Sequence, residues 1–185
     1  MNDSLLLISN FLRNPKEVGA LVPSSKFLTR EIVGNIEFNT SKNIVELGPG
    51  LGTITKEILK KSDSNTKVIC FEVNKKFFNY LNENIKDGRV TFINDGAEKL
   101  KKYLKKIKMK RVDCIVSGLP FLNFKHSKKE QILKAVQESL SNDGKFILFQ
   151  YTNELGAMLR SYFSKVTRKF VALNIPPSFV YLCEK

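Results

Sequence analysis

Residues 43–53 constrain this chain more than any other stretch. Asn43–Leu47 (NIVEL) reads as a β-strand, and Gly48-Pro49-Gly50-Leu51-Gly52 follows it without a break. Glycine at every second position lets the backbone turn sharply, and lets a ligand approach the main chain at the carboxyl end of the strand. Thr53 then opens an amphipathic run to Lys61, so the unit is strand, glycine turn, helix. The spacing is G-x-G-x-G, with Thr53 where a dinucleotide-binding fingerprint has its third glycine. Glu46, at the foot of the turn, repels a pyrophosphate and attracts a cation.

The same alternation continues along the chain. Residues 67–73 form a second strand, and Asn74 caps a helix carrying Phe77, Phe78, Leu81 and Ile85 on one face. Asp87-Gly88 turns the chain into a third strand at residues 89–93. Leu100, Tyr103, Leu104 and Ile107 recur at helical spacing, and Val112–Ser117 is a fourth strand. Ser127 and Glu130 form a capping box before a helix that buries Ile132, Leu133, Val136 and Leu140. Asn142-Asp143-Gly144 predicts a turn ahead of a fifth strand at residues 145–151, with a short helix at 154–163. The last strands, 166–174 and 179–183, are separated by Ile175-Pro176-Pro177-Ser178, too short for a crossover, so they pair antiparallel. The expectation is an α/β fold: a seven-stranded, mostly parallel sheet covered by helices on both faces, ending in an antiparallel hairpin.

Residues 1–40 lack this alternation and read as an N-terminal helical cap. Leu5, Leu7, Ile8, Phe11 and Leu12 share one side of a helix over residues 5–13, and a second helix covers residues 25–35. Residues 41–185 are then the ligand-binding domain, and 185 residues suffice for one compact unit.

Lys and Arg number 31 against 18 Asp and Glu, a net charge of +13. That excess favours anionic partners: nucleic acid, an acidic membrane face or a phosphorylated substrate. Only six of the basic residues are Arg, so part of the excess reflects a Lys-rich composition. The lysines of residues 101–110 are expected mostly to solvate the outer face of a surface helix. No apolar run reaches the roughly 20 residues needed to cross a bilayer, and the start lacks the pattern of a signal peptide. Cys70, Cys114 and Cys183 lie far apart in apolar runs, and His126 is the single histidine. No metal site is expected from that set, and a lone histidine argues against a Ser-His-Asp hydrolase. Buried free thiols suit a reducing cytoplasm.

The strand tips carry the chemistry. The acid and turn of residues 46–53 suit the ammonium and sulfonium of S-adenosyl-L-methionine (SAM), through Glu46, Gly48, Gly50, Gly52 and Thr53. Glu72 ends the second strand 20 residues past Gly52, where a carboxylate can accept both hydroxyls of a ribose, with Val73 beside it. Asp95 can accept from an adenine amino group, and Gly96 and Ala97 leave room for the ring. Ser24 and Ser25 are expected to close over the methionine end while capping a helix. Five strand–helix units ending in an antiparallel hairpin resemble the class I methyltransferase fold, and that resemblance implies that after the fourth strand Ser117 faces the cofactor, while Gly118, Leu119, Pro120 and Phe121 face the acceptor. Tyr151, Tyr181 and the carbonyls of Gly118 and Leu119 are candidate proton acceptors, and no single base stands out.

Taken together, these motifs resemble the bacterial phospholipid N-methyltransferase family, which has the Rossmann-like class I methyltransferase fold. The resemblance rests on Phe11-Leu12-Arg13-Asn14-Pro15, Val18-Gly19-Ala20, Val22-Pro23-Ser24-Ser25, Val45-Glu46-Leu47-Gly48-Pro49-Gly50, Ser117-Gly118-Leu119-Pro120, and Asn174-Ile175-Pro176-Pro177 before Val180-Tyr181. It implies SAM held by Glu46, Gly48, Gly50 and Glu72, and methylation of the amine of phosphatidylethanolamine or a related lipid. It further implies Asn174 at the substrate, a leading helix anchored on an anionic membrane surface, and a cytoplasmic protein on the inner face of the membrane. Leu173 stands where that family often has a basic residue. The rRNA adenine dimethyltransferases are related in pattern and suit the charge. Amino-directed adenine methyltransferases, however, carry Asn or Asp where this chain has Gly118. Nucleic acid is therefore the disfavoured partner. A soluble small-molecule methyltransferase and a non-catalytic SAM-binding module are further alternatives.

Overall fold

Four short apolar runs pair in parallel from one edge of the sheet to its middle: β1 (Asn43–Leu47), β2 (Lys67–Phe71), β3 (Val90–Ile93) and β4 (Val112–Ser117). β5 (Leu140–Gln150) extends the parallel set, and β6 (Lys165–Val171) and β7 (Ser178–Glu184) close the edge antiparallel. The computed structural model describes residues 24–185 and orders the strands β3-β2-β1-β4-β5-β7-β6. The winding reverses between β1 and β4, so a crevice opens at their carboxyl ends, where open α/β sheets place ligands.

Both faces of the sheet are covered, which is why the central strands are apolar throughout rather than alternating. Val45, Leu47, Ile115, Phe146 and Leu148 lie on one face, under α4 (Leu100–Lys106), α5 (His126–Ser139) and α6 (Gly156–Arg160). Ile44, Val68, Cys70, Val116 and Ile147 lie on the other, under α1 (Lys26–Gly34), α2 (Thr53–Lys61) and α3 (Lys75–Asn84). Asn74 caps α3 as expected, its side chain accepting from the Lys76 and Phe77 N–H groups. All three cysteines are free and buried.

The structure departs from the sequence reading in several local details. α5 begins at His126 with no side-chain cap, too early for a Ser127–Glu130 capping box, and Glu130 turns instead to His126 at 3.5 Å. Asn142-Asp143-Gly144 does not separate helix from strand. Val112 pairs with Leu140 and Cys114 with Lys145, so two steps on β4 face five on β5, and the extra residues bulge within the strand. β2 stops at Phe71 and β6 at Val171, and the helix expected over 154–163 contracts to Gly156–Arg160. The helix expected over 5–13 lies outside the described residues.

The turn between β6 and β7 is tied to α1 by one side chain. Asn174 is 4% exposed. Its Oδ1 accepts from the Ser25 N–H at 3.1 Å, and its Nδ2 donates to the Pro176 carbonyl at 2.7 Å and to Ser178 Oγ at 2.9 Å. The oxygen and both N–H groups are thus engaged within the chain. Asn174, expected at the substrate, instead holds a loop to a helix start. Removing it strands buried polar partners, so Asn174→Ala is expected to lower stability by about 2 kcal/mol in urea unfolding. A loss under about 0.5 kcal/mol would show that the tether contributes little.

Candidate functional site

The glycine turn has positive φ at Gly48, Gly50 and Gly52. Where a side chain would project from Gly50 the space is open, so its main chain is bare. The Gly50 N–H donates to Glu72 Oε2 at 3.2 Å, and the Asn74 N–H donates to Glu72 Oε1 at 2.8 Å. Glu72 therefore pins the turn after β1 to the end of β2, with lone pairs remaining on both oxygens. Burial raises its pKa, and the backbone donors of Asn74, Gly50 and Val73 oppose that shift. Val73, next along the chain, is 67% exposed, an apolar side chain standing in the open beside a buried acid. Asn94 fixes this corner by donating to the carbonyls of Glu72 at 2.7 Å and Val73 at 3.2 Å. Sequence reasoning gives Asn94 no role, although an amide at a strand end is a usable signal.

Asp95 is half-buried and ion-paired with Lys99 at 2.8 Å, and also accepts from the Gly96 N–H, which together hold its carboxyl below the usual range. The Glu98 carboxylate, paired with Lys128, folds into the space beside Gly96, and Ala97 is buried in the core.

Glu46 lies beneath the turn rather than open at its foot. It is 1% exposed, and its Oε2 accepts from Thr55 Oγ1 of α2 at 2.5 Å and from the Cys70 thiol at 3.8 Å. Burial pushes its carboxyl up to about 7; the Thr55 and Cys70 hydrogen bonds work against this, and the Glu72 charge adds to it. Sequence reasoning misses Thr55. Its inward position follows from the helical phase that also buries Ile58 and Leu59. Thr53, at the start of α2, lines a cleft of about 570 Å³ between α1 and α2 with Ser24, Lys26, Arg30, Lys56 and Lys61. Ser25 caps α1, its Oγ accepting from the Leu28 N–H.

On the acceptor side, two backbones meet. The Gly118 N–H donates to the Leu47 carbonyl at 2.9 Å. A Cβ on Gly118 would stand 2.8 Å from the Gly48 carbonyl oxygen, a contact that main-chain atoms cannot relieve by rotating away. Ser117 Oγ accepts from the Leu119 N–H at 3.2 Å and closes the turn. Gln150, 4% exposed, donates to the Leu119 carbonyl at 3.0 Å, so that expected proton acceptor already has a donor. Leu119 and Pro120 are half-buried at the rim. Phe121 is fully buried with its edge to Phe124, so it does not stack on a substrate. Tyr151 is half-buried edge-on to Phe149, and burial raises its phenol pKa. Tyr181 is buried in the core, its hydroxyl unpartnered beside Gly156. Sequence reasoning also misses Gln150 and Thr152. The Thr152 hydroxyl is buried and unpaired just past the end of β5, and polar residues closing an otherwise apolar run are the available signal. Among the described residues no cluster of His, Cys, Asp or Glu could hold a metal, and no helix is long and apolar enough to cross a membrane.

Residues 9–167 match the family model described as ribosomal RNA adenine dimethylase. The chain is 29% identical to an ornithine lipid N-methyltransferase of Singulisphaera acidiphila, over 99% of this chain and 96% of that protein. It is 26% identical to ribosomal RNA small subunit methyltransferase A of Staphylococcus haemolyticus, over 80% of this chain but 48% of that enzyme. A solved 1,6-didemethyltoxoflavin-N1-methyltransferase of Burkholderia thailandensis, with bound 1,6-didemethyltoxoflavin and S-adenosylhomocysteine, superposes with a TM-score of 0.70 at 15% identity. That match covers 98% of this chain and 88% of the other. The fold is the Rossmann-like methyltransferase fold.

The buried acid makes stability depend on pH. Glu46 titrates near 4.5 when unfolded and near 7 when folded. Between those values the folded state keeps a proton that the unfolded state has lost, so stability falls as pH rises, and the loss is complete above pH 7. Glu46→Gln escapes it. In ligand-free urea unfolding the variant is expected to gain about 2 to 3 kcal/mol on wild type between pH 5 and pH 8. A difference independent of pH would contradict the buried carboxyl.

Proposed function

We propose that the chain, which belongs to the ribosomal RNA adenine dimethylase family, methylates the amine headgroup of a lipid at the inner membrane surface. It is a SAM-dependent methyltransferase. When bound, SAM supplies a methyl group on a positively charged sulfur whose thioether is a good leaving group. Glu72 would hold the ribose hydroxyls with its remaining lone pairs, and the exposed Val73 would cover one face of the adenine. Asp95 would offer its second oxygen to the adenine amino group, and the bare main chain at Gly50 would lie along the ligand. Glu46 and Glu72, both with raised pKa values in close quarters, favour a cationic ligand.

The observation that carries the substrate class is the contact of Gly118 with the Gly48 carbonyl. An aromatic amine conjugated to a base is best held by a side-chain acceptor and a stacking ring. Position 118 has no space for the first, and Phe121 is buried away from the second role. A headgroup amine needs neither. Its own lone pair is basic, so the crevice must align it, exclude water and let its proton leave. The headgroup ammonium first loses one proton to solvent; the freed lone pair then forms the N–C bond as the C–S bond breaks, its electron pair staying on the departing thioether sulfur, which leaves a methylated ammonium. The match to a lipid N-methyltransferase along nearly the whole of both chains supports this reading. Methylation of an RNA adenine is the second reading, favoured by the family model and the charge of +13.

Incubation with methyl-labelled SAM and, separately, phosphatidylethanolamine or ornithine lipid in detergent micelles, ribosomal RNA and soluble amines tests the proposal. Label is expected in lipid; label confined to RNA overturns it. Glu72→Ala is expected to weaken SAM binding at least about tenfold in calorimetry, because ribose and turn lose the same carboxylate. Unchanged affinity would remove Glu72 from the cofactor site.

A further inference from the structure

We propose that α1 and the β6–β7 turn together form a face that docks on an anionic lipid bilayer. The inference rests on the lipid reading above and names the surface that would bring the crevice to its substrate. Six large apolar side chains are exposed among the described residues, and four of them gather here: Phe27 (54%), Phe170 (55%), Leu173 (63%) and Ile175 (82%). Phe27, Phe170 and Leu173 line one cleft of about 660 Å³, and Ile175 follows two residues on in the same turn. Apolar groups gathered in water at a helix start and a hairpin tip mark a contact surface rather than scattered exposure.

Cations border the apolar group. Arg30, Lys61 and Lys169 share its cleft, and Arg30 and Lys61 also line the neighbouring cleft that holds Lys26 and Lys56. Lys169 is paired with Glu31, and Glu57 faces the second cleft, so the balance is positive but not uniform. An apolar centre with a basic border fits a headgroup layer, where the apolar side chains enter the acyl boundary and the cations meet lipid phosphates. Phe27 and Phe170 offer rings to a base, but Leu173 and Ile175, the most exposed of the four, have no π-face for stacking, so RNA fits less well. The second cleft reaches Ser24 and Thr53, and Asn174 ties the turn to Ser25. Docking therefore sets the cofactor end of the crevice against the membrane.

The test is co-sedimentation of the full chain with vesicles of phosphatidylcholine alone or mixed with phosphatidylglycerol, without SAM or amine lipid. Wild type is expected to prefer the anionic vesicles. Leu173→Ser/Ile175→Ser is expected to lower partitioning at least about tenfold, and Arg30→Glu/Lys61→Glu to do the same and abolish the anionic preference. Unchanged thermal melting and circular dichroism show that the variants are folded. Variants that sediment like wild type, a wild type that fails to sediment, or variants that lose RNA binding while keeping vesicles each overturn the proposal. The two readings fail separately. Lipid labelled in micelles with no effect of these variants sinks the docking face alone, whereas intact protein that labels no lipid in micelles sinks the substrate reading.

Discussion

The turn after β1 and the loop after β4 meet main chain against main chain, and the rest of the strand tips are arranged around that contact. Gly118 donates to Leu47 and lies against the Gly48 carbonyl, while Gly48 donates to Phe71 of β2. Three adjacent strands are thereby drawn together just where the winding direction reverses. Gly48 and Gly118 bring no side chain of their own to the seam, and the apolar side chains of Leu119 and Phe149 pack against it. Glu72 closes the other side by accepting from Gly50 and Asn74. The turn is thus held by backbone on one flank and by a carboxylate on the other.

This arrangement concentrates negative charge in a poorly solvated place. Glu46 and Glu72 each lose hydration on burial, and the charge of Glu72 adds to the cost of ionising Glu46. In the free protein that is a penalty. A cation arriving in the crevice turns the same field into attraction, which is the usual logic of sites that store electrostatic strain for a ligand.

Much of this is legible in the sequence. The order of strands and helices follows from period and turn signals, and the short final connection predicts the antiparallel pair that β6 and β7 form. The glycine turn and Glu72 are readable because their chemistry is local. What is not readable depends on contacts distant in sequence. Asn174 reads as a substrate ligand because nothing nearby in the chain reveals that Ser25, 149 residues away, consumes its oxygen. Phe121 reads as an acceptor-side residue until the fold places it in the core. The Ser127–Glu130 box fails on helix phase, since capping requires the helix to begin after the serine and α5 begins before it. Gln150 and Thr55 stay hidden because their partners lie on other elements. A polar residue in an apolar strand or helix says that a partner exists, not which one.

A seam of two glycines flanked by apolar side chains has little with which to tell one acceptor from another. Gly118 offers main-chain contacts only, the Leu119 carbonyl already accepts from Gln150, and Phe121 is turned inward. Selectivity on this scaffold then has to come from which molecules can reach the crevice. A base in folded RNA must be unstacked and clamped before it reacts, and both steps need side chains at the site. A lipid amine is already presented at an interface, so orienting the protein on that interface supplies most of the alignment that the reaction requires. The same shortage of polar side chains at the seam thus gives weight to the exposed apolar and basic surface beside it, where Phe27, Leu173 and Ile175 stand outside any core.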